Sequence, residues 1–127
     1  MKHFLVLVVI TVLSGCSDDT SSSYTSYAEA KQDKLFARGW LPDILPTTTV
    51  NITTKNNLDI NTSQGNFTIP LNDLKQFTRE LSFIKNNHYC FFDNNSTSKA
   101  SWQFLIDAES GYVEYTYSPN NEACSIE

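Results

Sequence analysis

The residues able to do chemistry are few, and their spacing assembles no reaction centre. Asn57-x-Asp59-x-Asn61 opens like a calcium loop, in which alternate oxygen ligands precede a sharp turn and a bidentate glutamate. Its sixth position is Thr62 instead of glycine and its twelfth is Thr68 instead of glutamate, so the ligand set stops half-built. His3 and His88 are the only histidines, and His88 has no Cys or His nearby except Cys90, so no histidine cluster for a metal is expected. Serines are plentiful, but none stands in the G-x-S-x-G turn that exposes a nucleophile. Asp107 and Glu109 flank a turn, where carboxylates ordinarily serve solvation, and four glycines do not make a phosphate-cradling loop. The expectation is a protein with no catalytic, cofactor-binding or metal-binding residues, and not an enzyme. The aromatic set Trp102, Phe104, Tyr112, Tyr115 and Tyr117 could form a ligand platform, but alternation sends about half of it into a core.

The thiols are more informative. Lys2 and His3 precede an apolar run from Phe4 to Leu13, about half of the roughly 20 residues that a helix needs to span hydrocarbon. Leu13-Ser14-Gly15-Cys16 closes this run and resembles the lipobox of bacterial lipoproteins. The resemblance implies a signal peptide over 1–15, cleavage before Cys16, and diacylglycerol on the Cys16 thiol. Two or three acyl chains hold firmly where one does not, because each buried methylene contributes about 0.8 kcal/mol. Ser17, not an aspartate, follows directly, which favours the outer membrane, with the domain facing the periplasm. With Cys16 consumed, Cys90 and Cys124 remain as an even pair in an oxidising compartment, and a disulfide between them is expected.

The elements that must position these residues read as one domain. Residues 16–25 are polar and serine-rich, the composition of a lipidated flexible tether. A single α+β domain follows over 26–127. Ser26 and Glu29 have the spacing of a capping box that opens a short N-terminal helix running to about Arg38 and ending at Gly39. From Val50 the apolar period becomes two: Val50, Ile52 and Thr54, then Leu58 and Ile60, then Phe67 and Ile69 beyond a Gln64-Gly65 turn. Leu71, Leu74, Phe77, Leu81 and Ile84 recur every three or four residues, predicting an amphipathic helix over about 71–85, with Asn72 as N-cap and Asn86-Asn87 as stop. Strands follow at 89–92, through Trp102, Phe104 and Ile106, and through Val113, Tyr115 and Tyr117, the last two joined by the Asp107–Gly111 turn. The predicted architecture is a small antiparallel sheet of about 4–5 strands, with the 71–85 helix packed on one face.

Arg38-Gly39-Trp40-Leu41-Pro42-Asp43-Ile44-Leu45-Pro46-Thr47-Thr48, with Ile52 and Asn57-Leu58-Asp59-Ile60-Asn61, resembles a group of uncharacterised bacterial lipoproteins and small envelope proteins. They share a G-W-[LI]-P-x-x-L-P-x-[ST] segment and an acidic strand; the likeness covers roughly 36–69 and implies no known activity. That pattern often carries Glu and His where Thr54 and Asn56 stand here, so a site built on them would be missing. Trp40, Leu41, Ile44 and Leu45 form a candidate partner-docking loop, since such side chains anchor interfaces; the alternative is a loop folded back to cap the sheet.

Fourteen acidic against nine basic side chains give a net charge of −5, which excludes a general nucleic-acid binder. The sequence therefore predicts a non-catalytic, lipid-anchored envelope module, with the membrane as one partner through Cys16 and an envelope protein as another. The second expectation is an inhibitor or immunity protein, whose negative surface would steer toward a cationic hydrolase or toxin.

Overall fold

The computed structural model describes residues 19–93, 100–120 and 122–124. Cys16, the signal peptide expected over 1–15 and most of the polar loop expected over 93–99 lie outside them.

Alternation of inward and outward side chains builds one antiparallel sheet from β1 (Asp19–Ser26), β2 (Val50–Asn57), β3 (Thr62–Thr68), β4 (Ser82–Lys85), β5 (His88–Phe92), β6 (Ser101–Ile106) and β7 (Tyr112–Ser118). Their spatial order is β1-β2-β3-β7-β6-β5-β4. Among the described residues the sheet has seven strands, and helix is confined to α1 (Tyr27–Gln32), α2 (Leu71–Arg79) and a 3₁₀ turn at Glu122–Cys124. This corrects the expected α+β domain of 4–5 strands: the fold is mostly antiparallel β.

Three local readings explain the difference. The serine-rich stretch expected as a tether over 16–25 forms β1 from Asp19 onward, because pairing with β2 satisfies its backbone and Tyr24 opposite Ile52 reaches the core. The helix expected over 71–85 ends at Arg79, and residues 82–85 become β4. Asn86, at φ 49°, begins a two-residue hairpin turn into β5 instead of stopping a helix. Pro70, not Asn72, is the N-cap of α2, and Leu71 at its first turn is exposed. Finally, Leu58 and Ile60 belong to the turn between β2 and β3 and not to a strand, while Gln64-Gly65 lies inside β3 and not in a turn.

α1 is likewise shorter than the helix expected to reach Arg38. The Glu29 amide bonds Ser26 Oγ at 3.2 Å, and the Glu29 carboxylate accepts from the Thr25 amide at 2.9 Å. Lys34 then takes a left-handed φ of 61°, which breaks the helical path well before Gly39.

The core lies between one sheet face and the chain that crosses it. Phe67, Phe104 and Val113 are fully buried at the sheet centre, and Phe77 of α2 meets Phe67 and Phe104 edge to face at 5.9 and 5.3 Å. Trp102, Phe104 and Ile106 of β6 face inward together with Val113, Tyr115 and Tyr117 of β7. The aromatic set is therefore core, except for Tyr112.

Candidate functional site

With α1, α2 and the 33–49 segment on the inner face, the described residues leave most of the opposite face of the sheet open. Strand register lines its side chains up in two rows. Ser21, Lys55, Gln64, Thr116, Gln103 and Cys90 occupy successive strands in the first; Ser23, Thr53, Asn66, Glu114, Leu105 and His88 occupy them in the second. Neighbours stand one strand spacing apart, about 4.8 Å. Amides and hydroxyls dominate, so the face offers hydrogen-bond donors and acceptors at short, regular intervals.

Two depressions mark this face. One, of about 390 Å³, lies between Asp19, Lys55, Gln64, Thr116 and Ala123. The other, of about 350 Å³, lies over Thr53, Asn66, Gln103, Leu105 and Glu114. Both include Lys55, Gln64 and Thr116, so they are adjoining parts of one trough. Its rim depends on the disulfide. Cys90 is bonded to Cys124 across a Cα–Cα separation of 6.0 Å, which fastens the 3₁₀ turn carrying Ala123 against the open face. The Cys124 Sγ also lies 3.1 Å from the Trp102 carbonyl.

The electrostatics of the trough are mild. Lys55 Nζ is 3.7 Å from Asp19 Oδ2 in an exposed ion pair that contributes little to stability. Tyr112 is half-exposed on the same face, with its hydroxyl 3.5 Å from Glu114 Oε1. Partial burial and, after it, the Glu114 charge raise the Tyr112 phenol above its usual range. Among the described residues, no cluster of three or more His, Cys, Asp or Glu side chains is placed to hold a metal ion. The Asn57–Asn61 motif is a turn instead: Asn57 Oδ1 accepts from the amides of Asp59 and Ile60 at 3.0 and 3.2 Å.

A third depression, of about 440 Å³, lies between the 43–48 loop and α2, with Asp43, Asp73 and Glu80 on its walls. Two of these carboxylates already have internal partners. The Tyr27 hydroxyl donates to Asp43 at 2.7 Å and the Thr48 hydroxyl to Asp73 at 2.6 Å, tying the loop to its neighbours.

The candidate docking loop is not a free surface. Leu41 is fully buried, Trp40 and Leu45 are in the core, and Ile44 packs against it. The Trp102 indole donates to the Trp40 carbonyl at 3.0 Å. The segment crosses the inner face as a run of bends and turns around Pro42 and Pro46, closed by the Thr49 amide bonding the Pro46 carbonyl at 3.0 Å, so it caps the sheet. Thr54 and Asn56 are buried on that same inner face, where Ser63 Oγ donates to Asn56 at 2.6 Å and lies 2.8 Å from the Tyr115 hydroxyl. Sequence reasoning missed the open polar face. The signal available was the outward alternation of Lys55, Gln64, Gln103 and Thr116, legible only once the strands had been assigned.

The chain matches no curated protein and no solved structure. Residues 18–68, less than half of the chain but including β1, α1, the Trp40 loop, β2 and β3, match the family model of the YbbD head domain, so this part of the chain is similar to that domain.

Proposed function

We propose that this chain is a lipid-anchored envelope module that works by binding, without turnover, through the open face of its sheet. The observation that carries the reading is the trough itself: two in-register rows rich in amides and hydroxyls, which the described residues leave largely uncovered because both helices pack on the other side. Such a surface suits a hydrogen-bonding envelope component, since most of its outward side chains are neutral amides and hydroxyls that present a donor or acceptor with little charge to desolvate, Lys55 and Glu114 carrying the charge. The lipobox at Leu13–Cys16 and the YbbD-like head support placement at the bacterial envelope, with Cys16 as the acylated residue. Ser17 after that cysteine supports the outer membrane.

The test is site-specific photocrosslinking in intact cells, with the photoreactive group at Gln103 in the trough or at Lys31 on α1, followed by mass spectrometry. The reading requires one envelope component attached from Gln103 and absent from Lys31. Equal products from both positions, or a turnover activity abolished by changing a single polar residue, overturns it. Incorporation of labelled palmitate, lost in Cys16→Ala, tests the anchor separately.

A further inference from the structure

We propose that the β2–β3 hairpin tip is a membrane-contacting element, in which Leu58 and Ile60 enter the bilayer that holds the lipid on Cys16. This rests on the anchoring reading above and adds which end of the domain faces the membrane. Leu58 and Ile60 are 64% and 62% exposed, the two most exposed large apolar side chains of the described residues. Single exposed aliphatics are ordinary, but these two share one four-residue turn. That turn is ordered by the Asn57 side chain, so its shape is set without either aliphatic entering the core.

Chain connectivity puts this tip beside the lipid. Asp19 at the start of β1 is paired with Asn57, the last residue of β2, and Leu58 follows directly. Asp19 is only three residues beyond Cys16. At 3.3–3.6 Å per residue, three residues reach at most about 11 Å. An acylated Cys16 therefore holds the Asp19–Asn57 end of the sheet against the headgroups, and the tip projects from that end. Apolar side chains of interfacial elements enter about 5–10 Å into the headgroup and acyl boundary, a depth within reach of this tip.

The charges define the surface. The tip carries Asp59 and no basic residue, and Lys55 behind it is paired with Asp19. Attraction to an anionic surface does not drive the contact; apolar burial does, which suits a bilayer rich in zwitterionic phosphatidylethanolamine. Leu71 supplies an internal reference: it is 54% exposed, but follows the far end of β3, where Thr68 pairs with Val50 and Tyr112.

The experiment uses the full lipidated chain in vesicles of phosphatidylethanolamine with a minority of phosphatidylglycerol, with and without bromine on the upper acyl chains. Leu58→Trp is compared with Leu71→Trp, each against the unsubstituted protein, whose Trp40 and Trp102 are common background. The expected result is a blue shift and loss of the added emission on brominated lipid for Leu58→Trp, with Leu71→Trp unchanged. Acyl chains present on Cys16 by mass, with the two variants quenched alike or neither quenched, overturns the hairpin contact and leaves the anchor standing. A mass without acyl chains overturns both.

Discussion

The indole N–H of Trp102 donates to the backbone carbonyl of Trp40 at 3.0 Å, joining residues 62 positions apart in a buried contact. The bond links the start of the proline-containing loop to β6, and Trp102 in turn packs on Tyr117 with ring centroids 4.7 Å apart. A loop held this way is part of the core, and its residues should respond to substitution as core residues do.

Trp40→Ala should therefore destabilise the domain by about 3–5 kcal/mol, the range for deleting a large buried aromatic. Urea unfolding measures it. A change below 1 kcal/mol would return the loop to the role of an exposed docking segment.

Joint replacement of Cys90 and Cys124 by serine should cost about 3–4 kcal/mol on the loop-entropy model, since the bridge spans 34 positions. Reductant should lower the urea midpoint of the parent protein and leave the double variant unmoved. The variant should also crosslink less from Gln103, because the 3₁₀ turn that rims the trough loses its tether.

Gly65→Ala tests the close approach of β2 and β3. A Cβ there would stand 1.9 Å from the Thr53 carbonyl oxygen, next to the register shift of β2 between Val50 and Thr53. Because the obstacle is backbone, the strands must separate, and a loss of about 2 kcal/mol or more is expected. Wild-type unfolding behaviour for Gly65→Ala would show that the two strands are not so closely apposed.

Alkaline pH should weaken the fold through Tyr27. Burial first, and then the hydrogen bond to Asp43, push its phenol from an ordinary 10 up to about 12. Below pH 10 the phenol is protonated in both folded and unfolded chains. Between 10 and 12 the unfolded chain releases a proton that the folded chain keeps, so this contribution is lost as pH rises through that window. Tyr27→Phe should flatten the decline in urea midpoint between pH 9.5 and 11.5, and ultraviolet titration of the parent should show a late-ionising tyrosine absent from the variant.

Local pattern was sufficient where one side of an element meets the core and the other meets water. The alternation of Trp102, Phe104 and Ile106, and of Val113, Tyr115 and Tyr117, predicted β6 and β7 with the burial they show, and Asp107 to Gly111 predicted their turn. The Asp107 carboxylate accepts from the Glu109 amide, and Gly111 takes the positive φ of 78° that its position requires. Pattern failed where apolar residues continued past the element that used them. Leu81 and Ile84 extend the spacing of Leu74 and Phe77, yet Asn86-Asn87 turns that segment into a hairpin whose Phe83 pairs with Tyr89.

By itself, then, the sequence determined the outline: an acidic composition, an apolar N-terminal run that closes at Cys16, a further cysteine pair, and the alternating strands of the C-terminal half. The tertiary structure alone decided that a serine-rich stretch becomes β1, that the Trp40 loop lies inside, and that a polar trough faces out with Leu58 and Ile60 at one end. The physical reason is that side-chain periodicity is a property of neighbours along the chain. Strand pairing and the choice of covered face are instead properties of partners tens of residues away, such as Asp19 with Asn57, or Gln64 with Thr116.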